Sequence, residues 1–158
     1  MKTLDFTKLD TAGAAKVVTS LQQLLADYQL FYTNLRGFHW NIKGAMFFGL
    51  HAKFEEMYDD TAEKADEIAE RILMLGGVPA HNFSEYLKIS KVKETGYVSD
   101  AETCIKNILD TYAYFIAEER KLMELAGETN DEATSALMSD YIKQQEKTVW
   151  MLVAYSTK

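Results

Sequence analysis

Two histidines and three carboxylates stand out in this sequence as groups able to do chemistry together. His39 and His51 are twelve residues apart, Glu55 follows His51 by four, and Asp66 and Glu70 form a second pair at the same i, i+4 spacing. On a helix, positions i and i+4 share a face, so each pair can act as a two-pronged arm. Imidazole and carboxylate together suit divalent iron, zinc or manganese. The surrounding stretch is strongly acidic, with eight acids and one base, Lys64, between Glu55 and Glu70. Acidic stretches are commonly solvated helix faces, so azimuth has to decide whether these groups converge. A di-iron centre inside a four-helix bundle uses Glu-x-x-His motifs. Three residues before His39, His51 and His81 stand Arg36, Phe48 and Val78, so an intrabundle centre of that kind is not expected.

The elements that must position these groups are long helices. Val17, Leu21, Leu24, Tyr28, Phe31, Leu35 and Phe38 make an apolar seam at alternating spacings of four and three, which predicts a helix from about Asp10 to His39, capped by Asp10 or Thr11. After a turn at Asn41 to Gly44, a second helix runs from about Phe47 to Leu75, its seam at Leu50, Phe54, Met57, Thr61, Ala65, Ile68, Ile72 and Leu75. Gly76-Gly77-Val78-Pro79 ends it. Residues 80–98 form a long crossover with a short helix near Ser84 to Ile89. A third helix runs from about Ser99, a cap with Glu102 three residues on, to Ala126, and a fourth from about Asn130 to Tyr155. Two helices, a crossover and two more helices predict an all-α, ferritin-like four-helix bundle as a single domain over 1–158.

The two pairs cannot serve one metal within one chain. His51 and Asp66 lie roughly 22 Å apart along a helix rising 1.5 Å per residue. Their azimuths nonetheless agree. At 100° per residue with His51 at zero, Glu55 falls near about 40°, Asp66 near about 60° and Glu70 near about 100°, while the apolar seam centres near about −80°. The polar group therefore points sideways, away from its own bundle. A two-fold axis crossing this helix near Asp60 and Thr61 would set Asp66 and Glu70 of one chain against His51 and Glu55 of another, making two equivalent sites.

Composition sets the outer bounds. The chain has 158 residues and a net charge of −7, which argues against a surface built to grip nucleic acid. Its longest apolar run, Val149 to Tyr155, is far short of the roughly 20 residues of a membrane span. The start MKTLDFTKLD has no apolar core, so no signal peptide is expected. The lone Cys104 reads as a small apolar core residue, and a single thiol fits a cytoplasmic protein. His81 reads as a surface or packing residue, and Asp131 and Glu132 as offsets to a helix dipole.

The stretch from His39-Trp40-Asn41 through His51, Glu55, Asp66 and Ala69-Glu70-Arg71 resembles the signature of the Dps mini-ferritins, and Thr148-Val149-Trp150-Met151-Leu152 is similar to that family's last helix. The resemblance spans nearly the whole chain. It implies a hollow dodecamer built from two-fold dimers. It implies iron(II) oxidation at inter-subunit ferroxidase sites, with hydrogen peroxide preferred, and ferric mineral stored inside against oxidative stress. By motif position, His39, His51, Glu55, Asp66 and Glu70 match the family's iron ligands. Glu55 stands where many relatives carry Asp, which lengthens the arm by a methylene. Trp40 matches the tryptophan beside the site, in a role as packing residue or acceptor of oxidising equivalents. The resemblance also places Asp131 and Asp140 near acidic three-fold pores. Tight DNA binders of the family carry a Lys/Arg-rich tail. Here the first ten residues hold only Lys2 and Lys8, offset by Asp5 and Asp10, so DNA binding is expected to be weak or absent, with a DNA-compacting protein as the alternative reading.

Overall fold

The computed structural model describes residues 1–157. Its regular elements there are all helical: α1 (Leu4–Thr7), α2 (Thr11–Asn41), α3 (Phe47–Met74), α4 (Phe83–Ile89), α5 (Ala101–Glu128) and α6 (Glu132–Ser156). Carboxylates start three of the long helices. Asp10 accepts from Gly13 N at 2.7 Å, Asp100 from Thr103 N at 2.8 Å and Asp131 from Thr134 N at 3.1 Å. Each bond satisfies a backbone donor left free at a helix start. The third long helix is thus capped by Asp100 rather than Ser99, because the Asp100 side chain makes that bond. The fourth begins two residues later than expected, after Asn130 turns through a left-handed φ of 55°.

Helices α2 and α3 pack as one hairpin, α5 and α6 as the other, and α2 bridges to both α4 and α5. This is the ferritin-like four-helix bundle with one crossover. The seam residues meet in its centre, where Tyr28 stacks on Phe115 with centroids 4.5 Å apart and Phe31 meets Phe115 edge-on at 5.3 Å. Leucines, isoleucines and aromatics from all four long helices are buried there. The end of α3 is closed by two glycines. Gly76 takes a φ of +79°, and a Cβ at Gly77 would come within 2.8 Å of Val18. Only glycine lets α3 finish this close to α2. The four-residue α1, which the seam pattern did not predict, lays Leu4 over Gly76.

The crossover is tied down along α2: Gln22 bonds Val78 O and Ala80 N, Gln23 bonds Ile89 O, Asn34 bonds Lys93 O and Thr95 N, and between them sits a buried carboxylate. Asp27 on α2 is fully buried and accepts from Ser90 Oγ at 2.8 Å, Lys91 N at 2.7 Å, Val92 N at 3.1 Å and Tyr114 Oη at 2.7 Å. α4 starts in a capping box between Asn82 and Glu85. Among the described residues, no helix is long and apolar enough to cross a membrane.

Candidate metal centre

The short turn between α2 and α3 sets two histidines face to face. Ile42 is buried, Lys43 N bonds Ser99 O at 2.9 Å, and Gly44 turns the chain at a φ of +108°. His39 on the last turn of α2 then stacks on His51 in the first turns of α3, with centroids 3.8 Å apart and planes inclined by 19°. Their bonds are reciprocal. His39 Nδ1 lies 2.7 Å from the His51 carbonyl, and His51 Nδ1 lies 2.8 Å from the His39 carbonyl. A carbonyl oxygen only accepts, so both Nδ1 atoms donate and both rings keep a free lone pair on Nε2. Such a bond on the far nitrogen fixes the tautomer and ring orientation of a metal-ligating histidine.

Glu55 completes the group. One ligand atom from each of His39, His51 and Glu55 lies within 4.8 Å of the other two. His39 is buried, His51 half-buried and Glu55 exposed, so the set opens outward from the bundle. Phe47 stacks on His51 at 5.0 Å and Tyr58 meets His39 edge-on at 5.3 Å, which leaves the rings little freedom. Burial first, then the Glu55 and Asp59 carboxylates, push the Tyr58 hydroxyl up. Asp66 and Glu70 are both exposed further along α3. Asp66 also lines a cavity of about 280 Å³ with Tyr32, Ala62, Ala69 and His81. One chain thus brings together three of the five expected ligands and leaves the other two facing outward on the same helix.

Residues 18–158 match the ferritin-like domain family. A Porphyromonas gingivalis protein described as a DNA protection during starvation protein is 54% identical over 157 residues, 99% of each chain. Another so described, from Bacillus anthracis, is 42% identical over 140 residues, 89% of this chain and 96% of its own. The crystal structure of a Vibrio cholerae Dps protein superposes with a TM-score of 0.93 at 52% identity, covering 94% of both chains. That protein is described as a member of the ferritin-like diiron-carboxylate superfamily.

The chain belongs to the Dps family.

Other expected positions fall differently in this Dps chain. Trp40 is exposed beside the histidines, with the Arg36 guanidinium 4.8 Å over its ring. Asp131 is buried, and its carboxylate bonds Thr134 N and Oγ1 and, at 2.5 Å, Arg71. It is committed to a cap and an ion pair inside the chain, whereas Asp140 is exposed on α6. His81 is exposed and shares the Asp66 cavity. Cys104 is fully buried, and burial pushes its thiol up to about 11, which keeps it unreactive.

The sequence reading missed a polar cluster in the middle of the bundle. Glu119 on α5, Gln145 on α6 and Tyr28 on α2 are all buried and mutually hydrogen-bonded. Spacing held the signal. Glu119 occupies a seam position between Phe115 and Leu122, and Gln145 one between Tyr141 and Leu152. Lys64 is buried nearby, bonded to Asp60 and Gln144, with its ammonium 5.3 Å from the Tyr141 ring.

Proposed function

We propose that this chain oxidises iron(II) at sites shared across a two-fold dimer interface and stores the ferric product inside a dodecameric cage in the cytoplasm. The observation that carries this is the reciprocal His39–His51 pair. It aims two Nε2 lone pairs beside the Glu55 carboxylate and needs further oxygen ligands from outside the chain. Asp66 and Glu70, exposed on the sideways face of α3, supply them from a second subunit. Hydrogen peroxide is the favoured oxidant. Two iron(II) ions and two protons reduce one peroxide to two waters, so no hydroxyl radical leaves the site. Trp40, beside the histidines, is placed to take up a stray oxidising equivalent. Asp140 lines the pore through which iron(II) reaches the interior.

Protection of DNA, for which the relatives are named, then follows from removing iron(II) and peroxide rather than from gripping DNA. The charge favours this reading over DNA compaction. Net charge is −7, and among the described residues seven basic side chains lie within salt-bridge distance of an acid. With 24 acids against 17 bases, the cations that would release counterions from a duplex work against an opposing negative field.

The decisive experiment loads the protein anaerobically with iron(II), adds hydrogen peroxide or air, and follows ferric absorbance. Size-exclusion with light scattering gives the assembly in parallel. Fast oxidation by peroxide in a dodecamer is expected. An assembled protein that oxidises iron(II) no faster than buffer overturns the proposal. In a gel shift at physiological salt, no retarded band is expected. Tight binding that weakens steeply with added salt would expose a basic surface this reading lacks.

A further inference from the structure

The polar cluster at the bundle centre contains a hydrogen-bond deficit that one proton removes. Tyr28 donates its only hydroxyl hydrogen to Glu119 Oε1 at 2.7 Å. Gln145 Nε2 uses both of its hydrogens, one to Glu119 Oε1 and one to the Tyr28 oxygen, each at 2.8 Å. Every hydrogen in the trio is then committed. Glu119 Oε2 and Gln145 Oε1 remain buried without partners. Both are acceptors, on side chains already joined through their other atoms. Buried polar groups without partners are costly and rare.

We propose that Glu119 is held as a neutral carboxylic acid whose Oε2 hydrogen is donated to Gln145 Oε1, making the bundle centre a proton-binding site that ties the stability of the fold to pH. The added proton closes a carboxylic acid–amide pair and satisfies both orphaned oxygens at once.

The neighbours agree with this from every side. Tyr28 faces Glu119 from α2 and Tyr112 from α5. From α6 comes Tyr141, whose hydroxyl is bonded to Glu67 at 2.6 Å. From α3 come Asp60 and Lys64, and the Lys64 ammonium is committed to Asp60 and Gln144, not to Glu119. No cation therefore bonds the carboxyl. Burial pushes Glu119 up to about 7, outweighing the Tyr28 and Gln145 hydrogen bonds and the Lys64 charge, which pull it down. A cavity of about 220 Å³, lined by Asp60 and Lys64 from α3, Tyr112 from α5 and Gln145 from α6, reaches the Gln145 side of the cluster.

The sign of the pH effect follows from linkage. The folded state holds this proton more tightly than the unfolded chain. The stabilisation is complete below the ordinary glutamate value near about 4.3, and is lost as pH rises through about 7. Glu119→Gln supplies an amide hydrogen to Gln145 Oε1 at every pH and abolishes the linkage. Unfolding of the assembled full chain is to be compared with that of Glu119→Gln at fixed protein concentration. Between those two values the ratio of wild-type to variant unfolding constants is expected to rise about tenfold per pH unit, and to be flat outside them. A ratio independent of pH overturns the proposal. Infrared spectra of the wild type with labelled glutamate give a readout that does not depend on the variant folding. Near about pH 6, where exposed glutamates are ionised, a protonated-carboxyl stretch is expected. Its absence means an ionised Glu119 bridged to Gln145 by water, and overturns the proposal equally.

Discussion

Mixing His51→Ala chains with Asp66→Ala chains is expected to restore iron(II) oxidation that neither variant supports alone. In a homo-oligomer either change damages every site, because each site is proposed to need His51 from one chain and Asp66 from its neighbour. Loss of a supporting group beside a metal ligand costs about 10- to 100-fold, so loss of a ligand should cost at least about 100-fold. In a heterodimer one site combines both defects and the other has none. A random one-to-one mixture therefore keeps about a quarter of its sites intact, and about a quarter of wild-type activity should return. Ligands drawn from a single chain would leave no intact site in any mixture. The chains are unfolded, mixed, refolded and assayed by ferric absorbance, with assembly checked by light scattering. No recovery in a correctly assembled mixture rejects the shared site. Stability must be read separately, because removing an exposed carboxylate from a crowded acidic face relieves repulsion and can raise stability while activity falls.

How much of this was legible in the sequence depends on the kind of interaction. Helix existence followed from the seams, since Val17, Leu21, Phe31 and Leu35 on α2 and Phe54, Ile68 and Ile72 on α3 are all buried as their spacing requires. The sideways face of α3 was equally legible, because azimuth is a property of spacing alone, and Glu55, Asp66 and Glu70 are exposed there. The meeting of His39 with His51 needed only a short turn between antiparallel helices. Their stacking and reciprocal carbonyl bonds did not follow from spacing, because both depend on the atomic path through Ile42 and Gly44. The buried polar groups were the larger omission. Glu119 and Gln145 sit at seam positions, and a carboxylate there reads as an interruption until partners from other helices are known. Lys64 likewise looked like one base in an acidic surface run. It is buried because Tyr141 and Gln144 arrive from α6, eighty residues away for Gln144.

Replacing Asp27 by alanine is expected to cause the largest loss of stability of any single change at the crossover. Nothing on α2 near Asp27 announces a long-range role, yet its carboxylate collects donors from Ser90, Lys91 and Val92 in the crossover and from Tyr114 on α5. The alanine variant leaves two backbone N–H groups and the Tyr114 hydroxyl without their acceptor, while Ser90 Oγ keeps the Val92 carbonyl at 2.9 Å. Each hydrogen bond to a charged group is worth about 1.5–3 kcal/mol, and partial access of water limits the sum, so a net loss of about 3–5 kcal/mol is expected. Asparagine keeps one acceptor oxygen but turns an amide donor toward other donors, so Asp27→Asn should fall between alanine and wild type. The loss should also be local before it is global. Crossover backbone amides near Ser90 should lose protection from hydrogen exchange ahead of those in α2 and α3, because the bundle seams do not depend on Asp27. Denaturant midpoints and exchange rates measure the two effects. An alanine variant as stable as wild type, with the crossover equally protected, would show that the crossover is held by α4, its apolar contacts and the Gln22, Gln23 and Asn34 side chains rather than by this carboxylate.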